Sequence, residues 1–288
     1  MLEISKGFFD EEDRLGFHIE AMMKRAWAVQ LNVLSEIDRI CNKYGITYYA
    51  AGGTMLGTIR HKGYIPWDDD IDITMKRGDY ERFLKVAPEE IPYNYYLHCN
   101  EYFDSHASFH AALMNGRDDK YDFPYVAGVD IFVLDYVPAD EEEEFLFRTL
   151  FGLVYETART CRETGREELQ DNLSQIKELT GVEVVDDGRI QHNLWVLAHQ
   201  IAKMYSREES KGITHIPNIV CRDIECYVPI ECYDDSIRMP FEMTTVPVAV
   251  GYDKALKALY GEDYMTPKNV RARHDYPFYA SQQKMSGD

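Results

Sequence analysis

The sequence predicts an α+β fold: a mixed β-sheet core flanked by helices, with a helical lobe in its second half. Three observations carry this. Runs that read as strands concentrate before residue 139, helical spacing dominates from about 140 to 205, and a strand-then-helix pattern returns from 241. The expected division is a core with an N-terminal helix over 1–139, a mainly helical lobe over 140–240, and a strand–helix segment over 241–288 that packs back on the core.

Between His18 and Tyr44 the residues Met23, Trp27, Leu34, Ile37, Cys41 and Tyr44 fall on one helix face, and Gly45 stands where a C-cap glycine belongs. ITYYAAGG (46–53) reads as a buried strand ending in two glycines, and TMLGTIRHKG as a short helix leaving it. YIPWDD (64–69) is a loop, because Pro66 has no amide hydrogen and biases Ile65 away from helix. DIDITM (70–75) alternates, so as a strand it puts Asp70, Asp72 and Thr74 on one face. A helix follows over Arg77–Val86. YNYYLHC (93–99), SFHAALM (108–114) and GVDIFVLDYVP (128–138) are further strands, and helices then run from about Asp140 to Tyr205. FEMTTVPVA (241–249) reads as a strand, and GYDKALKALYG (251–261) as a helix stopped by Gly261.

The 288 residues carry 31 Lys plus Arg against 50 Asp plus Glu, a net charge of −19 that repels a polyanion and excludes nucleic acid as the main substrate. The six cysteines are scattered, the N-terminus does not read as a signal peptide, and no apolar run approaches the roughly 20 residues of a membrane span. A cytoplasmic protein with reduced thiols is expected, with at most peripheral contact at the inner face of the membrane. FLFRTLFGLVYE has the apolar content for such contact, although a core-facing helix is its simpler use.

The chemistry concentrates in GGTMLGTIRHKGYIPWDDDIDITM (52–75), where Asp68, Asp69, Asp70 and Asp72 would repel one another unless cations or hydrogen bonds neutralise them. Short carboxylates with hard oxygens suit Mg²⁺, which commonly acts on substrate phosphates. An EF-hand does not fit, because Ile73 stands where its glycine is needed and Asp79 where a bidentate Glu is usual. An Asp-x-Asp glycosyltransferase using a sugar nucleotide fits the aspartates alone, and a solvated acidic loop is the bland alternative. Gly52 and Gly53, between a strand and a helix, let backbone amides approach an anion closely.

AAGGTMLGTIRHKGYIPWDDDIDITMKRGDYERF resembles the signature of the LicD family of phosphotransferases and, more distantly, the polymerase-beta type of nucleotidyltransferase fold. GVDIFVLDYVP and YDKALKALYGEDYMTP are also similar to LicD segments, so the likeness spans roughly Ile46 to the end, with a weaker middle. The resemblance implies a nucleotidyltransferase-like core. It also implies transfer of phosphocholine or a similar phosphoryl-alcohol from CDP-choline or another CDP-alcohol, releasing CMP. The acceptor would be a sugar hydroxyl of a cell-surface glycan or glycolipid: lipopolysaccharide, teichoic acid or a capsule precursor. The alternatives are a glycosyltransferase or nucleotidyltransferase using a sugar nucleotide or NTP, and a non-catalytic binding protein.

Carried over by residue, the resemblance implies that Asp70 and Asp72 hold Mg²⁺ or Mn²⁺, and that Gly52, Gly53 and Thr54 lie on the donor's phosphate side. Asp130 is the implied third carboxylate, both metal ligand and catalytic group, with Asp135 the runner-up. Arg60, His61 and Lys62 would add positive charge for the phosphates, and Arg60 has the fork that suits them. Asp68 and Asp69 are read as loop support, with metal binding the equal alternative. Tyr64 and Trp67 flank the loop and could meet a quaternary ammonium through their faces. Tyr260, Gly261 and Tyr264 match a family segment whose chemistry the sequence does not specify. His215, Cys221, Cys226 and Cys232 lack the tight spacing of a zinc knuckle and read as ordinary buried residues.

Overall fold

The computed structural model describes residues 2–100, 108–116, 119–221, 226–268 and 276–286. Two strands, β1 (Glu12–Arg14) and β2 (Phe17–Ile19), pair as a hairpin whose turn places Leu15 and Gly16 at positive φ. That hairpin takes the residues around His18, so helix α1 (Ala21–Tyr44) starts three residues later than its periodicity predicts. It ends as expected: Gly45 is left-handed, and its N–H donates to the Cys41 carbonyl. The buried face of α1 includes Met23, Trp27, Leu31, Leu34 and Ile37.

The strand expected over 46–53 contracts to β3 (Tyr49–Ala50), and both glycines belong to helix α2 (Gly52–His61). Ala51 is the cause. Its N–H donates to the Asp72 carbonyl at 3.0 Å while its own carbonyl accepts from Met55 N–H at 2.9 Å, so the helix opens one residue after the last strand contact. β4 (Asp72–Lys76) begins two residues later than the alternation suggests, leaving Asp70 in the loop. α3 (Arg77–Glu90) outruns its expected end at Val86, carrying Pro88 in its last turn.

β5 (Tyr95–His98), β6 (Ala111–Asn115) and β7 (Ala127–Pro138) complete the main strands, in the order β3-β4-β7-β6-β5. β3 pairs antiparallel with β4, Ala50 opposite Ile73. Helices α4 (Glu141–Thr160), α5 (Arg166–Thr180) and α6 (Ile190–Ala202) follow, then β8 (Ser210–Thr214) and α7 (Pro217–Cys221). β8 pairs antiparallel with the end of β7, Asp135 opposite Thr214. The run read as one strand over 241–249 is instead a hairpin of β9 (Ser236–Phe241) and β10 (Thr244–Ala249), its turn carrying Glu242 at positive φ. α8 (Tyr252–Tyr260) stops at Gly261 as predicted, and α9 (Ala280–Ser286) comes last.

The fold is α+β. The chain gathers into two compact units: one of Met1–Leu97, Ala112–Phe132 and Tyr233–Asp288, the other of His98–Ala111 and Val133–Cys232. The divisions fall within β7 and after Cys232. The second unit is mainly helical, with Phe147, Phe151, Val154, Leu194, Trp195 and Ala198 in its interior. Among the described residues no helix is long and apolar enough to cross a membrane.

Candidate metal and phosphate site

The aspartate loop lies in the first unit, and backbone bonds hold it there. Asp72 is gripped on both sides: its N–H donates to Thr54 Oγ1 at 2.8 Å and its carbonyl accepts from Ala51 N–H at 3.0 Å. One residue earlier, the Ile71 carbonyl accepts from Asp130 N–H at 3.0 Å, which draws β7 alongside. The start of α2, the start of β4 and Asp130 therefore converge. The glycines permit this convergence. Gly52 has φ of 47°, and a Cβ there would stand 3.2 Å from Asp72 Oδ2 and 3.8 Å from the Tyr260 hydroxyl. A Cβ on Gly53 would collide with Asp68 Oδ2. The close approach expected toward a substrate anion is thus already made to the protein's own carboxylates.

Asp68, Asp69 and Asp70 each offer an oxygen within 4.8 Å of the others. The Asp68 carboxyl is held well above the usual range by burial and then by the charges of Asp70 and Asp69. Asp72 is likewise raised, by burial and then by Asp70, Asp130 and Asp68. Asp130, and not Asp135, is the β7 carboxylate whose charge bears on Asp72. Asp135 is buried in the second unit.

Asp69 differs from its neighbours. It is 0% exposed, its Oδ2 accepts from Phe278 N–H at 2.5 Å, and its carbonyl accepts from Gln30 Nε2 at 2.8 Å. It ties the loop to α1 and to the C-terminal segment. Asp68 faces the other carboxylates, the metal-side alternative that the sequence left open for it. The available signal was that the Asp-x-Asp spacing occurs twice, at 68/70 and at 70/72. Hard oxygens of one sign, pressed together and partly desolvated, must take up protons or a counter-cation. The donor set fits a divalent metal.

The basic residues fare unequally. Arg60 Nη1 donates to the Tyr264 carbonyl at 2.7 Å and its Nε to His61 Nε2 at 2.8 Å, so its fork is committed to the turn after α8. The pKa of His61 is lowered to about 4 by burial and then by Arg60 and Arg14. It is neutral near pH 7 and adds no positive charge, contrary to its grouping with Arg60 and Lys62. Lys62 is exposed and left-handed at the end of α2.

Tyr64 also departs from expectation. It is 2% exposed, stacked on Trp27 at 4.3 Å and 4°, and its hydroxyl donates to Gln30 Oε1 at 3.0 Å. The ring is core, so it offers no face to a ligand. Trp67 remains half-buried. Asp68, Asp69 and Asp70 are the one clustered trio of potential ligands among the described residues, and His215, Cys226 and Cys232 form no such group. The Cys221 side chain lies outside the described residues. His215 Nδ1 donates instead to the Val133 carbonyl at 3.1 Å.

A mixed sheet here gathers carboxylates at its strand ends against a glycine-opened helix. Residues 45–150 match the family described as LicD/FKTN/FKRP, nucleotidyltransferase domain. The likeness is to the LicD family of phosphotransferases. Over 247 residues, 82% of this chain and 89% of the relative, it is 29% identical to lipopolysaccharide cholinephosphotransferase LicD of Haemophilus influenzae. A shorter likeness covers 57 residues, 20% of this chain. It is 35% identical to an uncharacterized protein of Rickettsia typhi, spanning 18% of it, and 33% identical to one of Rickettsia prowazekii, spanning 21% of it.

Proposed function

We propose that this enzyme transfers a phosphoryl-alcohol group, phosphocholine or a similar one, from a CDP-alcohol to a sugar hydroxyl of a cell-surface glycan, releasing CMP. The observation that carries the reading is the convergence of Asp68, Asp70, Asp72 and Asp130 on the glycine-opened start of α2. The named Haemophilus relative supports the choice of phosphocholine as group and lipopolysaccharide as acceptor, with teichoic acid or a capsule precursor as related acceptors. The site of action is the cytoplasm, at most in peripheral contact with the inner membrane face, where a glycolipid acceptor is met.

Asp70, Asp72 and Asp130 would hold Mg²⁺ or Mn²⁺, with Asp68 adding a further oxygen. A divalent cation held there would supply positive charge against the donor's diphosphate and the charge that develops during in-line displacement. Thr54 acts through Asp72, whose amide it fixes. Gly52 and Gly53 keep the helix start free of side chains on the donor's phosphate side. Arg60 and Lys62 contribute positive charge, Arg60 as a fixed charge bound to the α8 turn and Lys62 as a mobile one from the surface. Asp130 accepts the proton of the attacking hydroxyl. Trp67, beside Asp68, faces the alcohol.

Incubation of the purified protein with Mg²⁺, a glycan acceptor, and a panel of CDP-alcohols and sugar nucleotides tests the reading through the nucleotide product. CMP is expected. Release of a nucleoside diphosphate from a sugar nucleotide would replace phosphoryl-alcohol transfer by glycosyl transfer, and no product from any donor would leave a binding protein.

A further inference from the structure

Phe17, Trp67 and Tyr276 come from three distant stretches of the chain and meet beside the aspartate loop. The Phe17 ring lies 6.3 Å and 65° from Trp67, and 5.8 Å and 84° from Tyr276. Two aromatic planes thus rise steeply from one shared ring. Unlike Trp27 and Tyr64, which are sealed in the core, these rings are partly open: Tyr276 is 38% exposed, and Phe17 and Trp67 are half-buried.

The corner also sits in a negative field. The Tyr276 phenol is pushed upward first by burial and then by the charges of Asp69, its neighbour Tyr279, Glu20 and Asp68. Aromatic faces combined with nearby carboxylates select cations. A primary ammonium is strongly hydrated and seeks direct hydrogen bonds to oxygen. A quaternary ammonium has no N–H to donate and a diffuse charge, so ring faces satisfy it better than a lone carboxylate does.

We propose that Phe17, Trp67 and Tyr276 form the subsite for the quaternary ammonium of the transferred group, and so set the specificity for a choline-type alcohol. This rests on the phosphotransfer reading of the aspartate loop. The position suits it: only two carbons separate phosphate from ammonium in phosphocholine, and Trp67 immediately precedes Asp68. Tyr64 cannot take this part, since Trp27 covers its face and Phe241 lies 5.0 Å away. Phe17 and Tyr276 supply the walls that the sequence assigned to Tyr64.

The test is calorimetric titration of the full chain with Mg²⁺ and CDP-choline, CDP-ethanolamine or CMP. Wild type is expected to bind CDP-choline more tightly than CDP-ethanolamine. Phe17→Leu and Tyr276→Leu should each weaken CDP-choline binding by about two- to thirtyfold while leaving CMP binding unchanged. Unchanged CDP-choline binding, or equal losses for CDP-choline and CMP, overturns the subsite. Should the leucine variants fail to fold, wild type alone decides. Tetramethylammonium chloride should compete with CDP-choline but not with CMP, relative to sodium chloride at equal ionic strength, and absence of that difference also overturns the subsite. Failure of wild type to bind either nucleotide would overturn the reading of the aspartate loop and the subsite with it, so the two failures are told apart.

Discussion

Two stretches of this chain crowd acidic residues together, Asp68 to Asp72 and Glu141 to Glu144, and they meet opposite surroundings. Glu141 to Glu144 open α4, where helix N-terminal amides favour negative charge, and Asp140 Oδ1 caps that end by accepting from the N–H groups of Glu142 and Glu143 at 2.9 and 3.0 Å. Glu141, Glu142 and Glu143 face solvent. Glu144 accepts from Arg148 Nε at 2.8 Å and pairs with Lys211; burial pushes its carboxyl upward, but these two cations outweigh burial and lower it. In the aspartate loop, burial and like charges act in the same direction, and the carboxyls of Asp68 and Asp72 are raised. The difference teaches that a count of acidic residues carries no function. What matters is whether the fold supplies the compensating charge or leaves that to a ligand.

The sharpest way to break this comparison is Asp72→Asn. Transfer, followed as CMP release, should fall on the order of a thousandfold, because a ligand of the proposed metal is lost. Thermal stability of the metal-free protein should hold or rise, since a like charge leaves a crowded group. Full activity in this variant would remove Asp72 from the site.

The next largest effect couples metal to pH. A buried carboxyl whose folded pKa lies above its unfolded value keeps its proton where the unfolded chain has released it. Stability from that group is therefore present at low pH and is lost as pH rises from about 4 through the folded value. In chelator, the melting temperature of wild type should fall from pH 5 to pH 8 relative to Asp72→Asn. Mg²⁺ at a hundredfold excess over its pH 8 Kd should stabilise wild type by about 2.7 kcal/mol at pH 8, and by less at the same concentration at pH 5. An equal gain at both pH values would mean that the carboxylates are not the ligands.

Asp69→Asn should lower stability by about 2 kcal/mol in urea unfolding, through loss of the charged acceptor for Phe278 N–H. A neutral result would return Asp69 to the metal group. Glu144→Gln should cost less than about 1 kcal/mol and leave CMP release unchanged, because its pairs are at the edge of solvent. A large loss there would erase the contrast.

Much of this was legible in local pattern. The α1 helix with its Gly45 cap, the Pro66 loop and a short helix after the Gly52–Gly53 pair follow from spacing and backbone chemistry within a few residues. What pattern could not give depends on partners far along the chain. Tyr64 is core because of Trp27, His61 is neutral because of burial with Arg60 and Arg14 nearby, and Asp68 and Asp69 part company because Phe278 reaches only one of them. The β9–β10 hairpin was hidden for another reason: its turn is made by Glu242 at positive φ, with no glycine to mark it.

The bond from Phe278 to Asp69 spans 209 residues of chain. Closing so long a loop costs entropy that local contacts do not repay, and contacts of high sequence separation slow folding. The bond that fixes Asp69 therefore needs both ends of the chain in place. During synthesis the carboxylates emerge long before the amide that orders them. A nascent or partly folded chain holds the acidic residues without the amide that fixes Asp69 among them.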